Sequence, residues 1–406
     1  MTTETLRDEA RDLLDELTGL RRRLHEWPEI GNDLPHTRDE VLSAIEGLPL
    51  DLTLHQTTSG IAAMLTGGKP GPTVLLRGDM DALPMPEDTG LDFASKVDNA
   101  MHACGHDTHV AMLVGAAKLL SARAADIPGR VLFMFQPGEE GYAGARFMLE
   151  EGLLNVGPHA LDGSASPVTG AFAMHITSSS PVGYVATRPG PCMASSDVLR
   201  ITVTGRGGHG SEPHRALDPI PIACEIVQAL QTMVTRRIDV FDPTIVTVTK
   251  ITAGTTTNVI PETAEIVGTI RAISERTRAR VHDGIRRVAE GVCAAHEADV
   301  DVEVTLGYPV TVNGGDFTDF SMGVARDLIG ADKVVRLPNP VMGAEDFSYV
   351  IEQVPGTMMF LGGTPLDRSL ATAAPNHSNR VYFDESAMVD GTAMYAAVAL
   401  RHLGLQ

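Results

Sequence analysis

The chain has 406 residues, 43% of them apolar and 21% charged, with a formal net charge of −20. This is a globular composition, too long for one ordinary core, and too acidic for nucleic acid or an anionic membrane as partner. No run of about 18 apolar residues suggests a transmembrane span, and Met1 to Asp15 lacks a basic-then-apolar leader, so the cytoplasm is the expected compartment. Cys104, Cys192, Cys224 and Cys293 are widely spaced, as free thiols or ligands would be.

Leu6, Ala10, Leu13, Leu14, Leu17 and Leu24 recur at helical spacing over 5–26, and Pro28 and Gly31 end that helix. Strands follow at 61–65 and 73–77, the second running into Gly78-Asp79-Met80-Asp81. A helix over 107–122 leads to a strand at 130–135, which runs into Gln136-Pro137-Gly138-Glu139-Glu140; the strand 171–176 contains His175. This alternation predicts βαβ units and a mostly parallel sheet. Each polar cluster sits at the C-terminal end of a strand, the edge where open α/β sheets bind ligands.

From Asp197 the order becomes strand 198–204, helix 219–238, strands 244–252 and 264–272, helix 275–297 and strand 300–306: the βαββαβ of a ferredoxin-like layer. Residues 183–307 hold 13 basic and 15 acidic residues, a net −2, against −18 for the flanks. We therefore expect an inserted domain at 183–307 within an α/β domain formed by 1–182 and 308–406. A helix over 316–329, strands at 333–336 and 357–361, and a C-terminal helix from Glu385 complete the pattern.

Three His, one Cys and one Asp fall within Met101–His109. Thiolate and imidazole are preferred ligands of zinc and similar metals, and Cys104 and His106, two apart on an extended segment, would face one side. Glu139 and Glu140, on extended backbone, would point to opposite sides, one carboxylate for metal and one for a proton. Asp79 and Asp81 show the same alternation. His25-Glu26 and His296-Glu297 lack the second His of H-E-x-x-H, and no G-x-S-x-G elbow occurs. Gly205-Arg-Gly207-Gly-His-Gly210 fits a dinucleotide loop, but Pro213 and Pro219 delay the helix that such a loop opens. These glycines instead bring backbone and His209 close to a ligand.

Arg77-Gly-Asp-Met-Asp-Ala-Leu-Pro84, His102-Ala-Cys-Gly-His-Asp107, Gln136-Pro-Gly-Glu-Glu140, Gly205-Arg-Gly-Gly-His209, Asn258-Val-Ile-Pro261 and Gly268-Thr-Ile-Arg271 occur in that order. The chain resembles, from Leu24 to His377, the metallo-amidohydrolases that include hippurate hydrolases, indoleacetyl-amino-acid hydrolases and N-acyl-amino-acid aminoacylases. It departs from their pattern at Gly138, where Ala is usual, and at Asn379, where many relatives have Pro.

The resemblance implies a metallopeptidase-like catalytic domain binding two divalent ions per subunit (Zn or Mn, with Co or Ni as alternatives) through Cys104, His106, Glu140, His175 and His377. It makes Glu139 the general base and Asp81 the residue that steadies the site. The inserted layer becomes a lid and homodimerisation domain whose His209 stabilises the oxyanion, with Asn258 and Arg271 holding the substrate carboxylate. The implied substrate is an N-acyl-amino acid. The rivals are a dipeptidase or carboxypeptidase on the same scaffold and a non-catalytic metal or acyl-amino-acid binding protein.

Overall fold

The computed structural model describes residues 3–405; the outermost residues of the expected catalytic domain, 1–2 and 406, lie outside it. The chain folds as two compact units, Met1–Gly190 with Val312–Pro338 and Tyr349–Gln406, and Pro191–Thr311 with Asn339–Ser348. Among the described residues no helix is long and apolar enough to cross a membrane.

The first unit is built on an eight-stranded sheet in the order Leu50–Leu54, Ile61–Thr66, Pro128–Gln136, Lys69–Asp79, Val168–Pro181, Gly356–Thr364, Val185–Thr187, Val334–Arg336. Its central strands are parallel: Lys69–Asp79 pairs that way with both Pro128–Gln136 and Val168–Pro181, and Val168–Pro181 with Gly356–Thr364. Antiparallel pairs occur further out, at Leu50–Leu54 and Ile61–Thr66. The central strands read as continuous apolar runs because both faces are covered, as in Val131-Leu132-Phe133-Met134-Phe135, all buried.

Beyond its polar first turn the helix His106–Ser121 is apolar all round, and only Lys118 and Ser121 are partly exposed. Such a helix must be enclosed. It packs on Lys69–Asp79 and Val168–Pro181 and is covered by Leu14–Glu26 and Ala387–His402. Burying each Leu, Val or Met of this layer contributes about 1.5–3 kcal/mol, and the layer fixes where the helix begins.

The expected helix over 5–26 is two helices, Thr3–Asp12 and Leu14–Glu26. The first packs mainly on Ala387–His402 and the second mainly on His106–Ser121, so the two halves serve different neighbours. The helix Pro35–Ala44 and the strand Leu50–Leu54 were not expected; the helix buries only Thr37 and Val41, and the strand is mostly exposed.

The second unit has a four-stranded antiparallel sheet, Thr244–Ala253, Thr263–Ala272, Asp197–Thr204, Asp299–Leu306, in the ferredoxin-like order. The helices Pro219–Arg237 and Glu275–Ala295 pack on it through Ile222, Ile226, Leu230, Val281 and Ile285. Asp218 caps the first by accepting from the Ile220 N–H, with Pro219 in the first turn, and Ser274 caps the second by accepting from Thr277. The glycine-rich segment opens no helix. Gly208–His209 pairs with Val259–Ile260 as a short antiparallel ribbon, a single 3-10 turn follows at Pro213–Arg215, and the α-helix starts only at Pro219.

Candidate metal centre

Two strand ends, one mid-strand residue and the start of the helix His106–Ser121 deliver most of the chemistry in the first unit. Asp79 closes the strand Lys69–Asp79, and Asp81 follows it, fully buried. The Asp81 carboxylate accepts from two consecutive backbone N–H groups, Glu139 to Oδ1 and Glu140 to Oδ2, each at 2.9 Å. The Asp81 carbonyl accepts from Nδ1 of His106 at 2.8 Å. One residue thus sets the backbone carrying both glutamates and, through its carbonyl, holds a proton on Nδ1 of His106, leaving Nε2 as the atom a metal would take.

The glutamates are not on extended backbone, as the sequence suggested. They lie in a turn after Pro137-Gly138, and that turn sends both carboxylates to the same side. His106, Glu139 and Glu140 place donor atoms within 4.8 Å of one another. Cys104 and His106 likewise converge through a turn, because Gly105 between them is left-handed with φ +87°. A Cβ at Gly105 would fall 2.4 Å from Cγ2 of Ile176, so both conformation and space demand glycine there.

His175 emerges from the strand Val168–Pro181 and donates from Nδ1 to the carbonyl of Ile176 at 2.7 Å, so its Nε2 faces the Cys104 sulfur, 3.3 Å away, as a lone pair. Nε2 of His377 lies 3.2 Å from the same sulfur and 3.3 Å from Oε1 of Glu140. His377 takes a left-handed backbone, φ +67°, and its N–H donates to the carbonyl of Ala103. Its neighbour Asn376 donates to the carbonyls of Cys104 and Ile176 and accepts from the Ser178 N–H, tying three segments together.

All five expected ligands therefore meet, in the overlapping sets Cys104–His106–His175 and Cys104–Glu140–His377. The donors suit a borderline divalent metal. Nε2 of His106 and Oε1 of Glu140 are buried and make no well-directed hydrogen bond among the described residues; their nearest ion-pair approaches are 3.4 Å to Asp79 and 3.3 Å to His377 respectively, as for atoms open to a cation. The cluster's electrostatics agree. Cys104 and Glu140 push His377 up to about 10, so imidazolium becomes the favoured counter-charge. Burial, with His109, pulls His175 down to about 3, which keeps it neutral and ligand-ready. Burial opposes ionisation of Glu140, but His377 and His106 hold its carboxyl below the usual range.

Beneath these groups Arg77 donates to Gln136 (2.8 Å) and to Oδ2 of Asp79 (2.6 Å), and His109 bonds to Oδ1 of Asp79. Against the cost of burial, Arg77 with His106 and His109 holds Asp79 well below the ordinary carboxylate range. The sequence reading did not assign roles to Arg77, Asp79, His109 or Asn376, although the spacing of Asp79 to Asp81 and of His106 to His109 carried a signal.

His209, Asn258 and Arg271 all belong to the second unit. His209 is exposed, and its Nδ1 accepts from the Ser211 N–H. Asn258 is exposed, with its carbonyl accepting from the Gly210 N–H. Arg271 is half-buried and donates to Oγ1 of Thr269 and the carbonyl of Ile270.

Comparison with known proteins agrees with this chemistry. Residues 75–401 match the family model described as peptidase family M20/M25/M40. The chain is 39% identical to thermostable carboxypeptidase 1 of Saccharolobus solfataricus, over 98% of each chain. It is 36% identical to an N-acetylcysteine deacetylase of Bacillus subtilis, over 95% of this chain and 96% of that one. Among solved structures it is similar to the Bacillus subtilis YXEP protein, described as a dinuclear metal binding peptidase from the M20 family, with a TM-score of 0.81, 33% identity, and coverage of 98% of this chain and 100% of that one. With the match spanning most of its length, the chain belongs to peptidase family M20/M25/M40 and is an amide-bond hydrolase.

Proposed function

We propose that this enzyme hydrolyses the amide bond of N-acyl-amino acids, releasing a carboxylic acid and a free amino acid. Cys104, His106, Glu140, His175 and His377 would hold two divalent ions, Zn or Mn with Co or Ni as alternatives. The observation that carries this reading is the convergence of those five donors with a sixth group, Glu139, beside His106 and Glu140. The similarity to a deacetylase of N-acetylcysteine supports an acylated amino acid as substrate.

Bound divalent ions lower the pKa of water and polarise a carbonyl. Glu139 takes the proton of the attacking water and returns it to the leaving amine, while Asp81 holds the turn that aims Glu139. From the second unit we assign His209 to the oxyanion, and Asn258 with Arg271 to the substrate carboxylate, for which guanidinium is suited. The second unit is proposed as lid and homodimerisation domain; its sheet ends in the strands Thr244–Ala253 and Asp299–Leu306, edges open to a second copy. Light scattering with chromatography tests the dimer.

The similarity to a carboxypeptidase favours a second reading, cleavage of peptides at a free C-terminus. Turnover of N-acetyl- and N-benzoyl-amino acids beside free dipeptides, with Zn, Mn, Co or Ni supplied singly, separates the two. Faster cleavage of acyl-amino acids is expected. Peptide cleavage with no action on acyl-amino acids would sink the proposal.

A further inference from the structure

The pairing of Val168–Pro181 with Lys69–Asp79 ends at Ala173 opposite Arg77. Beyond that point the backbone N–H of Ile176 donates not to a strand but to Nε2 of His109, at 2.7 Å. A backbone N–H can only donate, so Nε2 of His109 accepts and the neutral ring carries its proton on Nδ1. Nδ1 faces Oδ1 of Asp79, whose other oxygen accepts from Arg77 at 2.6 Å. The carbonyl of the same Ile176 accepts from Nδ1 of His175 at 2.7 Å. The bonds thus converge on the Asp79 carboxylate, with His175 donating to Ile176, Ile176 to His109, and both His109 and Arg77 to Asp79, and each proton along this path has a fixed position. Arg77, Asp79 and His109 are wholly buried, so no water competes for these bonds. The His109 ring also meets the His175 ring edge-on, with centroids 4.9 Å apart.

Resting on the metal-site reading above, we infer that His109 is a positioning residue: held by Asp79, it grips the Ile176 backbone and thereby fixes the ring orientation and Nδ1–H tautomer with which His175 presents its lone pair to metal. His109 itself ligates nothing in this arrangement, since Ile176 occupies its Nε2 and Asp79 its Nδ1. Its effect falls on the set Cys104–His106–His175 and leaves Cys104–Glu140–His377 intact.

The test measures zinc binding by competition with a chromophoric chelator on the full chain. Wild-type protein is expected to take up two zinc ions. His109→Leu should bind one of the two about 10–100-fold more weakly, the usual effect of removing an outer partner of a ligand, and His109→Gln, which can still donate and accept, should recover part of the loss. If His109→Leu does not fold, Asp79→Asn, which deprives His109 of its anionic partner, should show the same selective weakening. In zinc-loaded wild-type protein labelled with 15N-histidine, His109 should display the Nδ1–H tautomer. An Nε2–H tautomer, or both zinc affinities within twofold of wild type in the variants, overturns the assignment of His109 alone. Wild-type protein that binds fewer than two zinc ions overturns the metal-site reading and the assignment with it.

Discussion

The Cys104 sulfur lies 3.2 Å from Nε2 of His377, a contact between residues 273 positions apart. Burial and Glu140 raise the Cys104 thiol, so a thiolate forms there only beside a positive charge, which the His377 imidazolium supplies in the metal-free protein. A metal bound as proposed would take over that role and occupy the lone pairs an oxidant would attack. Metal-free protein exposed to peroxide should therefore lose the Cys104 thiol faster than metal-loaded protein, read by mass spectrometry of its peptide, while exposed Cys224 reacts equally in both. Equal rates at Cys104 would count against ligation.

Glu139→Gln should retain the wild-type metal content, because the proposed ligands are left in place. Its kcat should fall by roughly 10²–10⁴, the usual contribution of a general base. Full turnover with metals bound would remove Glu139 from the mechanism.

Asp81→Asn turns an N–H donor towards one of the two backbone N–H groups that Asp81 now accepts. Losing one charge-assisted bond costs about 1.5–3 kcal/mol. We expect a lower melting temperature together with a 10–100-fold loss of metal affinity or turnover. A variant with wild-type values of all three would show that the turn at Glu139 and Glu140 holds itself.

In the second unit, Asp197 accepts from both Nε and Nη2 of Arg278, from Nε2 of His282, and from the Gly307 N–H. Burial opposes ionisation, but Arg278 and His282 bring Asp197 down to about 2. The folded pKa is depressed, so its stabilisation is present above the unfolded value, near 4, and is lost as pH falls through about 2. Asp197→Asn should remove roughly 1–2 kcal/mol at pH 7 and flatten the acid limb of stability between pH 4 and 2. Urea denaturation at a series of pH values checks this; parallel curves for both proteins would refute it.

The parts of the site legible in the sequence were those attached to a strand end. The run 131–135 pointed at Glu139 and Glu140, and the packing of Cys104, His106 and Asp107 into a few residues was itself a signal. His175 and His377 were isolated, and only the family resemblance placed them. Local reasoning about direction failed where turns intervened: Glu139 and Glu140 share a side because they sit in a turn, and Cys104 meets His106 through the left-handed Gly105. His109 was illegible for another reason. One of its partners is a backbone N–H 67 residues away, and peptide groups leave no mark in a sequence. Buried Arg21, which donates to Asp107 across 86 residues at 2.7 Å, drew no reading from the sequence for the same reason of distance.

The second unit's main segment, Pro191–Thr311, lies in sequence between His175 and His377, so every proposed metal ligand falls outside it. A metal bound as proposed, joining Cys104 to His377, would be a clasp closing a loop that contains this whole segment. Loop-closure entropy grows only slowly with length, so the segment can lengthen, shorten or change its contacts at little cost to the clasp. The hydrolytic centre and the body that we propose selects its substrate are thus free to evolve at different rates. Metal bound there would also keep the two sequence parts of the first unit joined if Pro191–Thr311 unfolded.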